Sequence, residues 1–277
     1  MQPDDYCEQK AAASGSSFYY SFRFLDPDRR RAITALYAFC REVDDVVDEC
    51  KDPHLAQVKL AWWRGEVEAT YAGSPQHPVG RALAPQVRAF DLPKEQLLEI
   101  IDGMEMDLHQ SRYPDFKALQ LYCYRVASVV GLLAARIFGY EDHRTQHYAH
   151  HLGLAFQLTN IIRDVGEDAR RGRIYLPLED LERFAVPEAE ILHCRYGPGF
   201  APLMEFQIER AQHYYDLALN ALPEVDRKRQ RPGLVMAAIY RTLLEEIRSD
   251  GCRVLTHRVS LPPARKLWLA ARTWFAA

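Results

Sequence analysis

In the stretch FQLTNIIRDVGED, Gln157, Asn160, Asp164 and Asp168 recur at i, i+3, i+7 and i+11, so on a helix they share one stripe. The rest of that helix is apolar, with Leu152, Leu154, Phe156, Leu158, Ile161 and Ile162, which commits it to burial. Two amides and two carboxylates on a buried face are costly unless they meet a ligand or a polar cavity. Upstream, in ALYAFCREVDDVVDE, Tyr37, Arg41, Asp44 and Asp48 follow i, i+4, i+7 and i+11 and border the apolar Leu36, Cys40, Val43 and Val47. Carboxylates one turn apart repel each other, so something positive is implied. Alone, that acidic run reads as a solvated face. Set beside the second stripe it reads as half of a site, and the fold has to bring the two helices together across one cavity.

The remaining pattern agrees with such a bundle. Segments of helical period are separated by Gly and Pro, with no alternating strand, repeat or low-complexity tract. Pro behind an acid or turn residue marks helix starts at DPDRRR, KDPHLA and DLPKEQ. Helices are predicted at 28–49, 53–72, 77–90, 93–110, 115–139, 142–165, 201–222 and 231–250, with a short piece from Pro263. No break is long enough for a linker, so residues 1–277 are expected to form a single all-α domain, a helical bundle with a central cavity.

With 48% hydrophobic residues the chain can supply a sizeable core, and a net charge of -3 provides no basic field for nucleic acid. Six scattered cysteines without a CxxC pair, and no secretory hydrophobic region, point to reduced thiols in the cytoplasm. No uninterrupted apolar run reaches the roughly 18 to 20 residues of a membrane span.

The paired stripes offer oxygen donors only, a set that suits Mg²⁺ held by one or two carboxylates plus substrate phosphates. Diphosphate is the natural bridging group, and Arg41, Arg163, Arg171, Arg173 and Tyr175 could neutralise it as it leaves. Other features stay open. His147, His150 and His151 could bind zinc, but lack the sequence context of a zinc site and read more simply as packing. Ala127, Ser128, Gly131, Ala134 and Ala135 either let two helices close up or leave room for an apolar chain. The stretch from Arg170 to Ile191 is either a lid or a plain surface connection. No P-loop, nucleophile elbow or dinucleotide fingerprint occurs.

With SGSSFYYSFRFL, ALYAFCREVDDVVDE, YCYRVASVVG and NIIRDVGEDARRGRIYLP in this order, the chain resembles the squalene/phytoene synthase family over essentially its whole length. The resemblance implies a single all-α isoprenoid fold and the joining of two prenyl diphosphates through a cyclopropyl diphosphate. It places metal ligands at Asp44, Asp48, Asn160, Asp164 and Asp168. It assigns Tyr37, Arg41, Tyr122, Gln157, Arg163 and Tyr240 to the diphosphates and the cation, and Ser16, Phe18 and Tyr19 to an N-terminal flap.

Within that resemblance, YCEQKAAASGSSFYYSF and CREVDDVVDE look most like bacterial presqualene diphosphate synthases of the hopanoid pathway. The expected reaction is then Mg²⁺-dependent condensation of two farnesyl diphosphates, feeding a downstream squalene-forming enzyme. The alternatives are a phytoene synthase acting on geranylgeranyl diphosphate, since DVGEDARRGR also fits phytoene synthases, and a full NADPH-dependent squalene synthase. A non-enzymatic helical scaffold binding divalent ions is the remaining rival. The proton-accepting base is a Tyr hydroxyl or the released diphosphate. The tail PPARKLWLAARTWFAA mixes Arg, Lys and Trp with apolar residues, so it is either a last packed helix or an interfacial one that would hold the protein at the inner face of the membrane.

Overall fold

The computed structural model describes residues 1–13, 21, 22, 24–50 and 52–276. Helix α1 covers Pro3–Ala13, where the sequence suggested no helix; it is weakly amphipathic and buries only Cys7 and Ala11, against α2 and α4. Helix α2, Pro27–Glu49, opens where Asp26 accepts a hydrogen bond from the Arg29 amide at 3.0 Å ahead of Pro27. Asp52 caps α3, Pro53–Ala72, in the same way, accepting from the His54 amide at 2.9 Å. Helices α4, Pro78–Ala89, and α5, Lys94–His109, follow.

Asp115 caps the next helix through the Ala118 amide at 2.7 Å. It runs as α6, Phe116–Cys123, widens into a π segment at Tyr124–Ser128, and continues as α7, Val129–Phe138. By length and composition residues 116–138 could cross a membrane, a reading that the sequence pattern did not suggest; in the fold this helix packs against α5 and α8. Helix α8, Arg144–Arg170, extends five residues past its expected end and carries the second acidic stripe to the last turn. The chain finishes with the short α9, Leu178–Arg183, and α10, Glu188–Leu192, then α11, Phe200–Ala221, α12, Arg231–Ser249, and α13, Pro263–Ala276.

The architecture is all-α: among the described residues there is no strand, only an isolated bridge between Arg112 and Ile174. Two apolar cores form. One is built from α1 to α5 with α7, the other from α6 and α8 to α13, and the cavity runs between them. Its width depends on small residues. A Cβ on Gly153 of α8 would stand 2.6 Å from the Ala127 carbonyl oxygen and the Ser128 Cα, so α8 and the π segment touch through backbone. Ala127, Gly131, Ala134 and Ala135 nevertheless line the cavity. The small residues therefore serve both roles, closing the helices up and leaving space.

The segment after α8 is not a free lid. Ile174, Tyr175 and Leu176 are buried, the Ile174 amide donates to the Ser111 carbonyl at 3.0 Å, and buried Asp180 accepts from Gln207 and Arg210 at 2.8 and 2.6 Å. His150 and His151 pack ring to ring at 5.2 Å, with Tyr124 and Tyr214 alongside, and among the described residues no group of His, Cys, Asp or Glu is arranged to hold a metal by itself. All six cysteines are free thiols.

Candidate active site

A cavity of about 560 Å³ opens between α2, the π segment with α7, α8 and α12. Its mouth carries Asp44 and Asp48 from α2 facing Asn160, Asp164 and Asp168 from α8, so the two polar stripes do meet across one space. Tyr37, Arg41, Tyr122, Gln157, Arg163 and Tyr240 line the same cavity. The far end is apolar, walled by Ile33, Phe138, Ala135, Tyr148 and Gly233. From Asp164 to Tyr148 the wall follows sixteen residues of α8, about 24 Å at 1.5 Å per residue.

Arginines bridge the acidic faces. Arg41 donates to Asp44 and Asp45, both at 2.6 Å, and Arg163 donates to Asp164 at 2.7 Å. Arg171 and Arg173, from the segment after α8, reach across to Asp48 on α2 at 2.8 and 3.3 Å. Arg173 and Tyr175 do not line the cavity; they support it from behind.

Three carboxyls, two at the mouth and one behind it, are held unusually basic. Burial, reinforced by Asp48, Asp45 and Asp107 and opposed by Arg41, pushes Asp44 up to about 6. Burial with Asp164 and Asp107 pushes Asp168 up to about 7, against the pull of Arg173 and Arg171. Burial also raises Asp107 to about 6, although hydrogen bonds from Tyr175 and Tyr122 and the charge of Arg173 favour its ionised form. Burial would raise Asp164 as well, but Arg163 and Arg258 outweigh it and hold this carboxyl below the usual range. Such a field, with negative groups crowded in a poorly solvated space, favours a bound cation.

The residues fit a hard divalent ion. All the candidate ligands are oxygens, and Asn160 Oδ1 is buried without a protein partner while its Nδ2 donates to Gln157 at 3.3 Å. Among the described residues no group of carboxylates closes into a ligand cage by itself.

Several contributors escaped the sequence reading. Asp107 on α5 accepts from the hydroxyls of Tyr175 (2.7 Å) and Tyr122 (3.0 Å), tying the Tyr122 ring in the cavity wall to Tyr175 behind it. It lies one turn beyond Met104, which lines the cavity, and that i, i+3 relation was its only trace in the sequence. Arg258 donates to Asp164 at 2.8 Å, and Lys266 lines the cavity with its amine made less basic by burial and by the nearby Arg163 and Arg258. Arg258 is placed by a close backbone approach. The Gly166 amide donates to the Val254 carbonyl at 3.2 Å, and a Cβ there would sit 2.3 Å from the Leu255 oxygen. Ser16, Phe18 and Tyr19, expected in a flap, lie outside the described residues.

Residues 11–265 match the model of the family described as squalene/phytoene synthase. The chain is 36% identical to the 15-cis-phytoene synthase of Synechocystis sp., covering 99% of this chain and 85% of that protein. It is likewise 36% identical to the phytoene synthase of Arthrospira platensis, covering 95% and 89%. Among solved structures, a dehydrosqualene synthase in complex with ligand superposes with a TM-score of 0.90 at 28% identity, over 99% of this chain and 96% of that one. The squalene synthase HpnC from Alicyclobacillus acidocaldarius gives 0.81 at 27% identity, over 90% and 94%.

These relatives correct the expected reaction. Presqualene diphosphate synthesis from two farnesyl diphosphates, with its hopanoid setting and downstream squalene-forming enzyme, was read from short N-terminal stretches. The full-length likeness runs instead to phytoene synthases, at a higher identity than to HpnC. The cavity, its acidic mouth and these likenesses converge: the chain belongs to the squalene/phytoene synthase family of prenyltransferases.

Proposed function

We propose that this protein is a phytoene synthase, condensing two geranylgeranyl diphosphates head to head through a cyclopropyl diphosphate. The full-length likeness to phytoene synthases, 36% identical over nearly the whole chain, carries this reading. The cavity wall along α8, polar from Asp164 to Gln157 and apolar from Phe156 to Tyr148, is consistent with it and leaves space for a prenyl chain below the mouth.

Asp44, Asp48, Asn160, Asp164 and Asp168 would hold Mg²⁺ at the mouth. Bound there, the ion would draw electron density from the diphosphate and so ease its departure. The chain's own residues do the rest. Arg41, Arg163, Arg171, Arg258 and Lys266 surround the acidic stripes and receive the charge that develops on the leaving group. Phe156 and Tyr240, with centroids 5.1 Å apart, present aromatic faces to the allylic cation below the mouth, and the buried apolar wall keeps water from it.

Burial raises the Tyr122 and Tyr240 hydroxyls above their ordinary range. Both therefore stay protonated and act as hydrogen-bond donors, which leaves the released diphosphate as the proton acceptor when the cyclopropane closes. Incubation of the purified protein with Mg²⁺ and either geranylgeranyl or farnesyl diphosphate, with products identified by mass spectrometry, tests the proposal. Phytoene from the longer substrate without NADPH is expected. Turnover of farnesyl diphosphate with none of the longer substrate would overturn it.

A further inference from the structure

Helix α13 reverses the usual polarity of a surface helix. Its inward side supplies buried Leu269 and Ala270 and places Lys266 in the cavity wall. Its outward side should be polar. Instead Ala264, Leu267, Trp268, Ala271 and Phe275 fall within an arc of about 100°. Leu267 is 45% exposed, Trp268 56% and Phe275 82%. Single exposed apolar residues are ordinary, but a continuous stripe of large ones marks a surface that meets something. Phe24, also exposed, extends the patch by packing on Trp274 at 5.1 Å.

The charges on the helix itself are of one sign; Arg265 is paired with Glu246 of α12 and Arg241 with Asp216 of α11, while Arg272 and Arg227 have no carboxylate in ion-pair range among the described residues. Helix α13 contains Arg265, Lys266 and Arg272 and no acid. A groove between α11, α12 and α13 is lined by Arg227, Arg241 and Arg272 with Leu219, Leu234 and Leu269, and by no carboxylate. The Arg272 guanidinium lies 5.2 Å from the Trp268 ring centre, a pairing that puts a cation above an indole at the edge of the apolar stripe. A second copy of the chain is a poor match for this face. A two-fold contact would set the same arginines against each other.

We propose that the outward face of α13 docks onto a bilayer with anionic headgroups, Trp268, Leu267 and Phe275 entering the interface and the arginine rim meeting the phosphates. Lys266 lines the cavity from the opposite side of the same helix, so α13 alone separates the docked face from the cavity. The proposal holds for either prenyl chain length.

Co-sedimentation of the full chain with vesicles of phosphatidylcholine alone, and of equal parts phosphatidylcholine and phosphatidylglycerol, tests it. Binding to the mixed vesicles is expected, weakened by salt and at least tenfold weaker to the neutral ones. The double variant Trp268→Ser/Phe275→Ser should lose at least tenfold in partitioning, with circular dichroism unchanged because both side chains point outward. Arg272→Glu should lose only the preference for anionic vesicles. Wild-type partitioning in the double variant, no binding to mixed vesicles, or a light-scattering dimer that the double variant dissolves would each overturn the proposal.

Discussion

Asp168 is a place where the site works against the stability of the fold. Its carboxyl, at the last turn of α8, is raised to about 7 by burial and by Asp164 and Asp107. In the unfolded chain it returns to its ordinary acidity. Between about pH 4 and pH 7 the folded state therefore binds the proton that the unfolded state has released, so stability falls as pH rises through this window and levels off above it. At 1.36 kcal/mol per pH unit the full cost of ionised Asp168 is up to about 4 kcal/mol. The site is partly exposed, and screening by solvent reduces the cost to about 2 kcal/mol. Asp168→Asn keeps the shape and removes the charge. In metal-free buffer the variant should melt about 3–4 °C above wild type at pH 8 and within about 1 °C of it near pH 4, as read by scanning calorimetry. Adding Mg²⁺ with diphosphate should raise the wild-type melting temperature and leave the variant nearly unmoved. A variant less stable than wild type at pH 8, or a difference independent of pH, would mean that ionised Asp168 does not destabilise the fold.

Asp48→Ala and Asp164→Ala should each abolish prenyl turnover while leaving the helical circular dichroism intact; wild-type rates in either variant would remove these residues from the proposed metal set. Asp107→Asn weakens the acceptor shared by Tyr122 and Tyr175, and turnover should fall at least tenfold with little change in melting temperature. Gly153→Ala brings a methyl against the backbone of the π segment and should cost about 2–3 kcal/mol, measured by urea unfolding. Ala134→Phe fills the cavity wall beyond the mouth, so turnover of geranylgeranyl diphosphate should drop more than that of farnesyl diphosphate in paired assays.

The sequence alone determined the long helices from α2 onward and their polar stripes, though not α1 or the short α9 and α10, because a helix face is a local property of a chain with a period of 3.6 residues. Pro27 behind Asp26 and Pro53 behind Asp52 placed two helix starts to within one residue. Asp44 with Asp48, and Asn160 with Asp164 and Asp168, were legible as faces that needed a ligand. Tertiary structure alone decided what closes around those faces. Asp107 is one of five acids on α5, singled out by no local pattern, and gains its role only through two tyrosines from elsewhere in the chain. Arg258 reaches Asp164 from 94 residues away, across the contact that Gly166 permits. The width of the cavity depends on how closely α8 lies against the π segment, and the outward turn of Trp268 and Phe275 on how α13 packs on α12. Periodicity constrains which residues share a face of one element; which faces meet depends on long-range packing that no local pattern encodes.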